Sequence, residues 1–218
     1  MIRRTTMRIA ALDIGGTSIK SGVWDGKELL ETREWDTNAR QGGAYVLDRA
    51  VEILRTCEPF EAVGISTAGQ VDFREGMIRY ANDNIPGYTG MRIRDRMESE
   101  FGVPAAVEND VNAAALGEAR FGAGKGHKDF LCITYGTGVG GAVIMDEKIY
   151  RGSMYSAGEF GGILVHPEDR VDGKPFSGCY EKYASATGLV AMASRYDESL
   201  NNGRKIFARI EEKQFREI

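Results

Sequence analysis

The sequence predicts an α/β protein built from two lobes of related topology. The order strand, glycine turn, strand, polar turn, strand occurs twice, with about 120 residues between the two occurrences. Segments with helical spacing of apolar residues separate the predicted strands, as in proteins that cover a sheet with helices. Glycine is the third observation, because 28 of the 218 residues are glycine, nearly twice the usual share.

The first lobe opens with three predicted strands joined by tight turns. Residues 8–13 are mostly apolar, as in a buried strand, and end at Gly15 and Gly16. A second strand over residues 18–24 reaches Asp25-Gly26, a strong hairpin signal before a third strand over residues 27–35. The three strands are therefore expected to be antiparallel neighbours.

Helices and two further strands complete the prediction for the first lobe. Apolar residues in segment 41–57 recur at helical spacing and form a face for the sheet. The predicted elements that follow are a strand over residues 60–67, a helix over 89–101, a strand over 104–107 and an alanine-rich helix over 111–121. A glycine-interrupted segment begins at residues 68–70. We place the first lobe at residues 1–120.

The second predicted lobe, residues 121–218, repeats the opening pattern. Its strands are predicted over residues 130–135, 139–145 and 148–150, and the first two flank a turn at Gly136, Thr137 and Gly138. A further helix is predicted from residue 203 to 218 without a residue that would stop it. Because β-hairpins are common, two of them do not by themselves establish a duplication.

Composition excludes several classes of protein. The charge is −4 with both signs dispersed, so no nucleic-acid partner is expected. No apolar run is long enough for a membrane span or a secretory signal, so no membrane partner is expected. The three cysteines, Cys57, Cys132 and Cys179, are too widely spaced for a disulfide framework, which indicates a reducing compartment, the cytoplasm.

The first glycine turn lies in the segment from Asp13 to Lys20. Adjacent glycines at Gly15 and Gly16 let backbone N–H groups converge on an anion, and the hydroxyl of Thr17 adds a donor. Asp13, at the end of a strand, could hold Mg²⁺ directly or through water. The alternative is an ordinary glycine hairpin with an aspartate that caps it.

The second glycine turn matches the dinucleotide fingerprint G-x-G-x-x-G over residues 136–141. That fingerprint requires a helix after the turn, and an apolar strand follows instead. A nicotinamide site is therefore excluded, and the remaining interpretation is a second hairpin turn that cradles phosphate.

Three acidic residues are candidates for chemistry. Asp110 lies where a strand passes into a helix, whose N-terminus favours an ionised carboxylate that could accept a proton from a hydroxyl. The alternative is a capping Asp or Asn without a chemical role. Glu159 and Glu181 lie in glycine-rich surroundings, and their carboxylates could accept hydrogen bonds from sugar hydroxyls. The alternatives are a solvated loop acid and a charge in a first helical turn.

Six motifs taken together resemble the ROK family (repressor, open reading frame, kinase). These are DIGGT at residues 13–17, GISTAG at 64–69, NIPG at 84–87, ENDVNA at 108–113, GTGVGG at 136–141 and GEFG at 158–161. Each motif is weak alone, but six in this order are specific. The resemblance implies the two-lobed actin-like/hexokinase (ribonuclease H-like) fold and phosphorylation of hexoses or N-acetyl amino sugars with ATP and Mg²⁺.

The resemblance also implies a role for each matching residue. Asp110 matches the catalytic base, and Asp13 aids metal binding. The residues implied to bind the nucleotide are Asp13, Gly15, Gly16, Thr17, Lys20, Gly136, Thr137 and Gly138. Those implied to bind the sugar are Gly69, Gln70, Asn84 (or Asn82, because the local match is ambiguous), Asn109, Glu159 and Glu181.

Two departures from the family pattern matter. Many members continue GEFG with a histidine that binds zinc and a cysteine cluster, whereas here Gly162 replaces the histidine and Cys179 alone remains. We therefore expect no zinc site, and His127 and His166 do not supply one. Family kinases also continue with a segment that packs on the adenosine, so the second lobe is expected to be incomplete. If the chain is complete, we expect weak or no ATP binding; if it is a fragment, we expect its parent to be active.

The leading hypothesis is a sugar kinase, acting as a homodimer, whose sugar the sequence does not specify. The alternatives are a non-catalytic sugar-binding protein and a sugar-responsive regulator of the same family. Family repressors carry an N-terminal helix-turn-helix, and only seven residues precede the first predicted strand. A pure sensor would not need Asp110, which favours the kinase.

Overall fold

The computed structural model describes residues 7–211, and it divides the chain into two compact units between Ala114 and Ala115. The first unit holds strands and helices in the predicted order. Its strands are β1 (Ile9–Ile14), β2 (Ser18–Trp24), β3 (Leu29–Asp36), β4 (Ala62–Thr67), β5 (Gln70–Asp72), β6 (Met77–Tyr80) and β7 (Ala105–Asn109). Its helices are α1 (Gly43–Arg55), α2 (Ile93–Phe101) and the start of α3 (Asp110–Phe121), with a 3-10 turn at Ala39–Gln41.

The main sheet of the first unit has the strand order β3-β2-β1-β4-β7. The three opening strands are antiparallel, as predicted, and β4 and β7 run parallel to β1. The Asp25 carboxylate fixes the β2–β3 turn, since its Oδ1 accepts the backbone N–H groups of Lys27 at 2.8 Å and Glu28 at 3.0 Å. The carboxyl ends of β1, β4 and β7 therefore meet at one edge.

One apolar core supports this sheet. Helix α1 contributes Val46, Ala50 and Leu54 at helical spacing, all three fully buried. They pack in one cluster with Ile14 of β1 and Met97 of α2. Burial of such side chains is worth about 1.5–3 kcal/mol each, so the core holds the carboxyl edge in a fixed place.

The segment between β4 and α2 differs from the prediction in its detail. The glycine-interrupted stretch folds into a second hairpin, β5–β6, with Gly69 at φ 99° beside it. Helix α2 begins at Ile93, four residues later than predicted from position 89. The 3-residue and 4-residue strands are too short to show the alternation that predicts a strand.

The second unit contains a three-stranded antiparallel sheet and short helices. Its elements are β8 (Phe130–Tyr135), β9 (Val139–Met145), β10 (Lys148–Tyr150), α4 (Tyr180–Ala184), α5 (Ala186–Tyr196), α6 (Gly203–Glu211) and 3-10 turns at Phe160–Gly162 and Pro167–Asp169. The order β10-β9-β8 confirms the repeated strand and turn pattern. Helix α6 is described to Glu211, and predicted helical residues 212–218 lie outside the described range. No helix between residues 7 and 211 is long and apolar enough to cross a membrane.

Two glycines let the segment at residues 158–161 lie directly on β9. A Cβ atom at Gly158 would be 1.9 Å from the carbonyl oxygen of Gly141, and one at Gly161 would be 2.4 Å from that of Val139. Both distances are far inside van der Waals contact, so glycine is required for this backbone approach. At the neighbouring Gly162 the nearest atom, of Phe176, would be 3.6 Å away.

The different surroundings of Gly161 and Gly162 predict different losses of stability when each is replaced by alanine. Gly161→Ala should destabilise the chain by about 1–3 kcal/mol, because the new methyl group collides with backbone rather than with a movable side chain. Gly162→Ala, the matched control, should change the free energy of unfolding by less than about 0.5 kcal/mol. Urea denaturation followed by circular dichroism compares the two, and equal losses of stability would contradict the contact.

Candidate active site

A row of polar side chains crosses the carboxyl edge of the first unit's sheet. Asp13 of β1 is in register with Ser66 of β4 and with Lys20 of β2, and Ser66 is in register with Glu108 of β7. Residues in register share a face of the sheet. The Ser66 hydroxyl donates to Asp13 Oδ1 at 2.8 Å and orients that carboxylate. Because Lys20 is in register with Asp13, the two residues lie on the same face of the sheet.

Asn109 caps helix α3. Its side-chain oxygen accepts the backbone N–H groups of Val111 at 3.0 Å and Asn112 at 3.1 Å. Its side-chain nitrogen donates to the Gly69 carbonyl at 3.0 Å and to Asp110 Oδ1 at 2.8 Å. The capping role that the sequence left open for an Asp or an Asn thus belongs to Asn109, which also joins Gly69 to Asp110.

Asp110 begins helix α3 and keeps one carboxylate oxygen available. Its Oδ1 also accepts the backbone N–H of Val111 at 2.9 Å, while Oδ2 has no hydrogen-bond partner among residues 7–211. Although the side chain still reaches solvent, the surrounding protein desolvates the carboxylate and raises the pKa of Asp110. Hydrogen bonds from Val111 and Asn109 oppose this pKa rise, and the negative charge of Asp13 adds to it.

Two opposing effects set the direction of this shift. The helix N-terminus was expected to favour the ionised carboxylate, and the Val111 N–H does lower the pKa of Asp110, but desolvation and the neighbouring Asp13 outweigh it and raise the pKa. A raised pKa makes a carboxylate a better proton acceptor, because it approaches the pKa of the groups that it must deprotonate.

The first glycine turn closes between Gly15 and Ser18. The Gly15 N–H donates to the Ser18 carbonyl at 2.9 Å, which leaves Gly16 and Thr17 exposed at the tip. Thr37, fully buried, holds this turn from the end of β3: its hydroxyl donates to the Gly15 carbonyl at 2.7 Å and its N–H to the Thr17 carbonyl at 3.0 Å. Sequence reasoning missed Thr37, which lies 22 residues away.

A small cavity lies beside the first glycine turn. Its lining includes both asparagines between which the sequence was ambiguous, together with Gly16 and Gly69; the lining residues are Gly16, Ala68, Gly69, Ala81, Asn82, Asn84, Ile85 and Tyr88. The Tyr88 and Thr67 hydroxyls are 2.8 Å apart, and burial raises the pKa of Tyr88 to about 12. Gln70 opens β5 opposite Tyr80 and is outside this lining.

The second glycine turn lies in the second unit, between β8 and β9. The Gly136 N–H donates to the Gly138 carbonyl at 2.9 Å. Glu181 of α4 holds the end of the turn, because its Oε2 accepts the Val139 N–H at 3.0 Å. From α5, the Thr187 hydroxyl donates to the Thr137 carbonyl at 2.7 Å.

The two candidate sugar-binding acids of the second unit differ in their surroundings. Glu159 is exposed just before the 3-10 turn at Phe160–Gly162. Glu181 is half-buried, and a Cβ built at Gly161 would be 3.3 Å from the Cβ of Glu181. The GEFG segment and the second glycine turn therefore both border Glu181.

The cysteine and histidine residues do not gather into a metal centre within the described range. Between residues 7 and 211 no three His, Cys, Asp or Glu side chains are grouped to hold a metal. His166 Nδ1 lies 2.8 Å from Glu168 Oε1, and the His166 ring packs on Tyr183 with 4.4 Å between centroids. The expected absence of zinc stays a prediction.

Comparison with known proteins identifies the class. The fold matches that of solved ROK hexokinases, an actin-like α/β fold. The ROK family model matches residues 9–217, and the chain belongs to the ROK family.

Three relatives illustrate the match. A glucokinase of Streptomyces coelicolor is 39% identical over 186 residues, covering 84% of this chain and 58% of that protein. The structure of a putative N-acetylmannosamine kinase from Listeria monocytogenes has a TM-score of 0.83 at 29% identity, covering 95% of this chain and 71% of that one. A Streptomyces griseus ROK glucokinase in complex with glucose and AMPPNP has a TM-score of 0.76 at 38% identity, covering 88% and 62%.

The chain covers only part of the length of these relatives. The chain spans 66% and 58% of the length of the first two curated relatives that it matches. The expected two-lobed family fold is thus confirmed for the part of the fold that the chain covers.

The raised pKa of Asp110 predicts a pH-dependent gain in stability when its charge is removed. Because the folded pKa is above the unfolded one, ionisation of Asp110 costs stability above the folded pKa and costs nothing below the ordinary value of about 3.9. Asp110→Asn should therefore raise the thermal unfolding midpoint at pH 7, with a gain that fades towards about pH 3.5. Asp36→Asn, at an exposed aspartate that ends β3, is the control. A midpoint that falls at pH 7 would refute the desolvation of Asp110.

Proposed function

We propose that this chain belongs to a sugar kinase that transfers the γ-phosphate of ATP to a hydroxyl of a hexose or N-acetyl amino sugar. The observation that carries the proposal is the Asp110 carboxylate at the start of α3, held by Asn109 and Val111 through Oδ1 with Oδ2 available. The relatives named above, two glucokinases and a putative N-acetylmannosamine kinase, support the same class. A non-catalytic sugar-binding protein would have no use for such a base.

Asp110 acts as general base in this proposal. Oδ2 accepts the proton of the sugar hydroxyl as that oxygen bonds to the γ-phosphorus, and the bond to the bridging oxygen of ADP breaks in line. Asn109 and Val111 fix the direction of the carboxylate, which sets the angle at which Oδ2 meets the hydroxyl. Glu159, Glu181 and Asn84 are the proposed sugar contacts, whereas the amide of Asn109 already makes four hydrogen bonds within the protein and therefore positions Asp110 instead of the sugar.

The nucleotide is proposed to bind at the two glycine turns. Lys20, on the face of the sheet that also carries Asp13, would contribute a positive charge. A carboxylate is the type of ligand that Mg²⁺ prefers, and Asp13 would hold this ion through the oxygen that Ser66 does not occupy, or through water. Mg²⁺, when bound, offsets the charge of the phosphates.

The test of the proposed function separates binding from transfer. In a coupled assay with Mg²⁺ and a high concentration of ATP across glucose, N-acetylglucosamine and N-acetylmannosamine, the chain should phosphorylate at least one sugar, with a high KM for ATP that reflects the weak ATP binding expected above. Asp110→Asn should lower kcat by about 10²- to 10⁴-fold, because the base is lost. The same variant should keep the thermal shift that the sugar causes, since the amide side chain retains an oxygen that Asn109 and Val111 can contact.

Asp36→Asn serves again as the control and should leave kcat unchanged. An Asp110→Asn chain with the turnover of the parent would refute the base. A parent chain that binds a sugar and transfers no phosphate would favour the non-catalytic alternative.

A further inference from the structure

Each glycine turn is held from behind by a threonine hydroxyl and a backbone amide. In the first unit, Thr37 supplies both donors, to the carbonyls of Gly15 at 2.7 Å and Thr17 at 3.0 Å. In the second unit, Thr187 donates to the Thr137 carbonyl at 2.7 Å, and the Ala186 N–H donates to the Gly136 carbonyl at 2.9 Å. In both units, therefore, a threonine hydroxyl and a backbone N–H hold two carbonyl groups of the glycine turn.

These contacts determine where the turn amides point. A peptide group is planar and trans, so its N–H points opposite to its C=O. Because the Gly136 and Thr137 carbonyls face α5, the N–H groups of Thr137 and Gly138 face away from it. By the same reasoning, the Gly16 N–H faces away from Thr37. None of these three N–H groups donates a hydrogen bond to another residue in the range 7–211.

We propose that Thr37 and Thr187 are positioning residues that aim the backbone amides of the two glycine turns at phosphate oxygens. The inference rests on the proposed function, since it takes the turns as the phosphate sites. Glycine turns are conformationally free, and several converging amides bind an anion only when their directions are fixed. The two threonines supply that fixation without touching the phosphate.

Their surroundings make the two threonines different as experimental targets. Thr37 is fully buried, so its hydroxyl cannot be replaced by water when it is removed. Thr187 is exposed at the start of α5, where Thr187→Val preserves shape and removes the donor. Thr187→Ser retains the hydroxyl and tests rescue. Ser194 offers a matched control on the same helix, because its hydroxyl also donates to a carbonyl, that of Leu200 at 3.1 Å.

The experiment follows inorganic tripolyphosphate binding to the 218-residue chain by amide NMR. In the parent, the probe should shift the resonances of Gly16, Thr137 and Gly138. Thr187→Val should weaken binding roughly three- to tenfold, as loss of one hydrogen bond implies, and should reduce the shifts of Thr137 and Gly138 most. Thr37→Val should reduce the shift of Gly16 most. Thr187→Ser should restore binding, and Ser194→Ala should leave it unchanged.

The outcomes separate this inference from the kinase proposal. Unchanged tripolyphosphate binding in folded Thr187→Val overturns the inference, and so does a parent whose turn amides do not respond. If Thr37→Val fails to fold, the exposed Thr187 variants decide the result. A parent whose probe binding weakens in Thr187→Val, yet which phosphorylates no sugar in the coupled assay, contradicts the kinase proposal and leaves the positioning role supported.

Discussion

The parallel register of β1, β4 and β7 is the constraint on which the first unit's site depends. It aligns Asp13 with Ser66 and Ser66 with Glu108, so that polar side chains from three separate segments share one face. Neighbouring side chains of a strand alternate between faces, and a slip of one residue would turn Asp13 into the apolar core. The fully buried Ile14 prevents that slip, because its side chain would then have to reach solvent.

The end of β7 shows how a helix start and a proposed base can lie in adjacent residues. A single aspartate that both capped α3 and accepted protons would have its carboxylate tied to backbone N–H groups, which lowers its pKa. Here Asn109 accepts two N–H groups at the start of α3, and Asp110 shares the Val111 N–H through Oδ1 alone, so Oδ2 has no partner among the described residues while desolvation raises the pKa of Asp110. Most of the capping of α3 and the available carboxylate oxygen therefore belong to two adjacent residues, Asn109 and Asp110.

Strands, turns and the acidic motif could be predicted from the sequence because each leaves a local signal. Alternation identifies β1 and β2, glycine identifies their turns, and the segment around Asp110 is contiguous. The two threonines that hold the glycine turns could not be predicted, since Thr37 contacts Gly15 across 22 residues and Thr187 contacts Thr137 across 50. The sequence around a single threonine does not show whether its hydroxyl donates to a distant backbone carbonyl or faces solvent. The raised pKa of Asp110 likewise comes from desolvation first and from the charge of Asp13 second, and only the folded protein produces both.

Glu181 connects two tasks that sequence motifs assign to separate residues. Its Oε2 accepts the Val139 N–H at 3.0 Å, and a Cβ atom at Gly138 would lie 2.2 Å from the same oxygen. The Glu181 carboxylate therefore lies directly against the glycine turn that is proposed to hold phosphate. The same carboxylate is also proposed to bind the sugar. A carboxylate has lone pairs for several donors, so the two contacts are compatible.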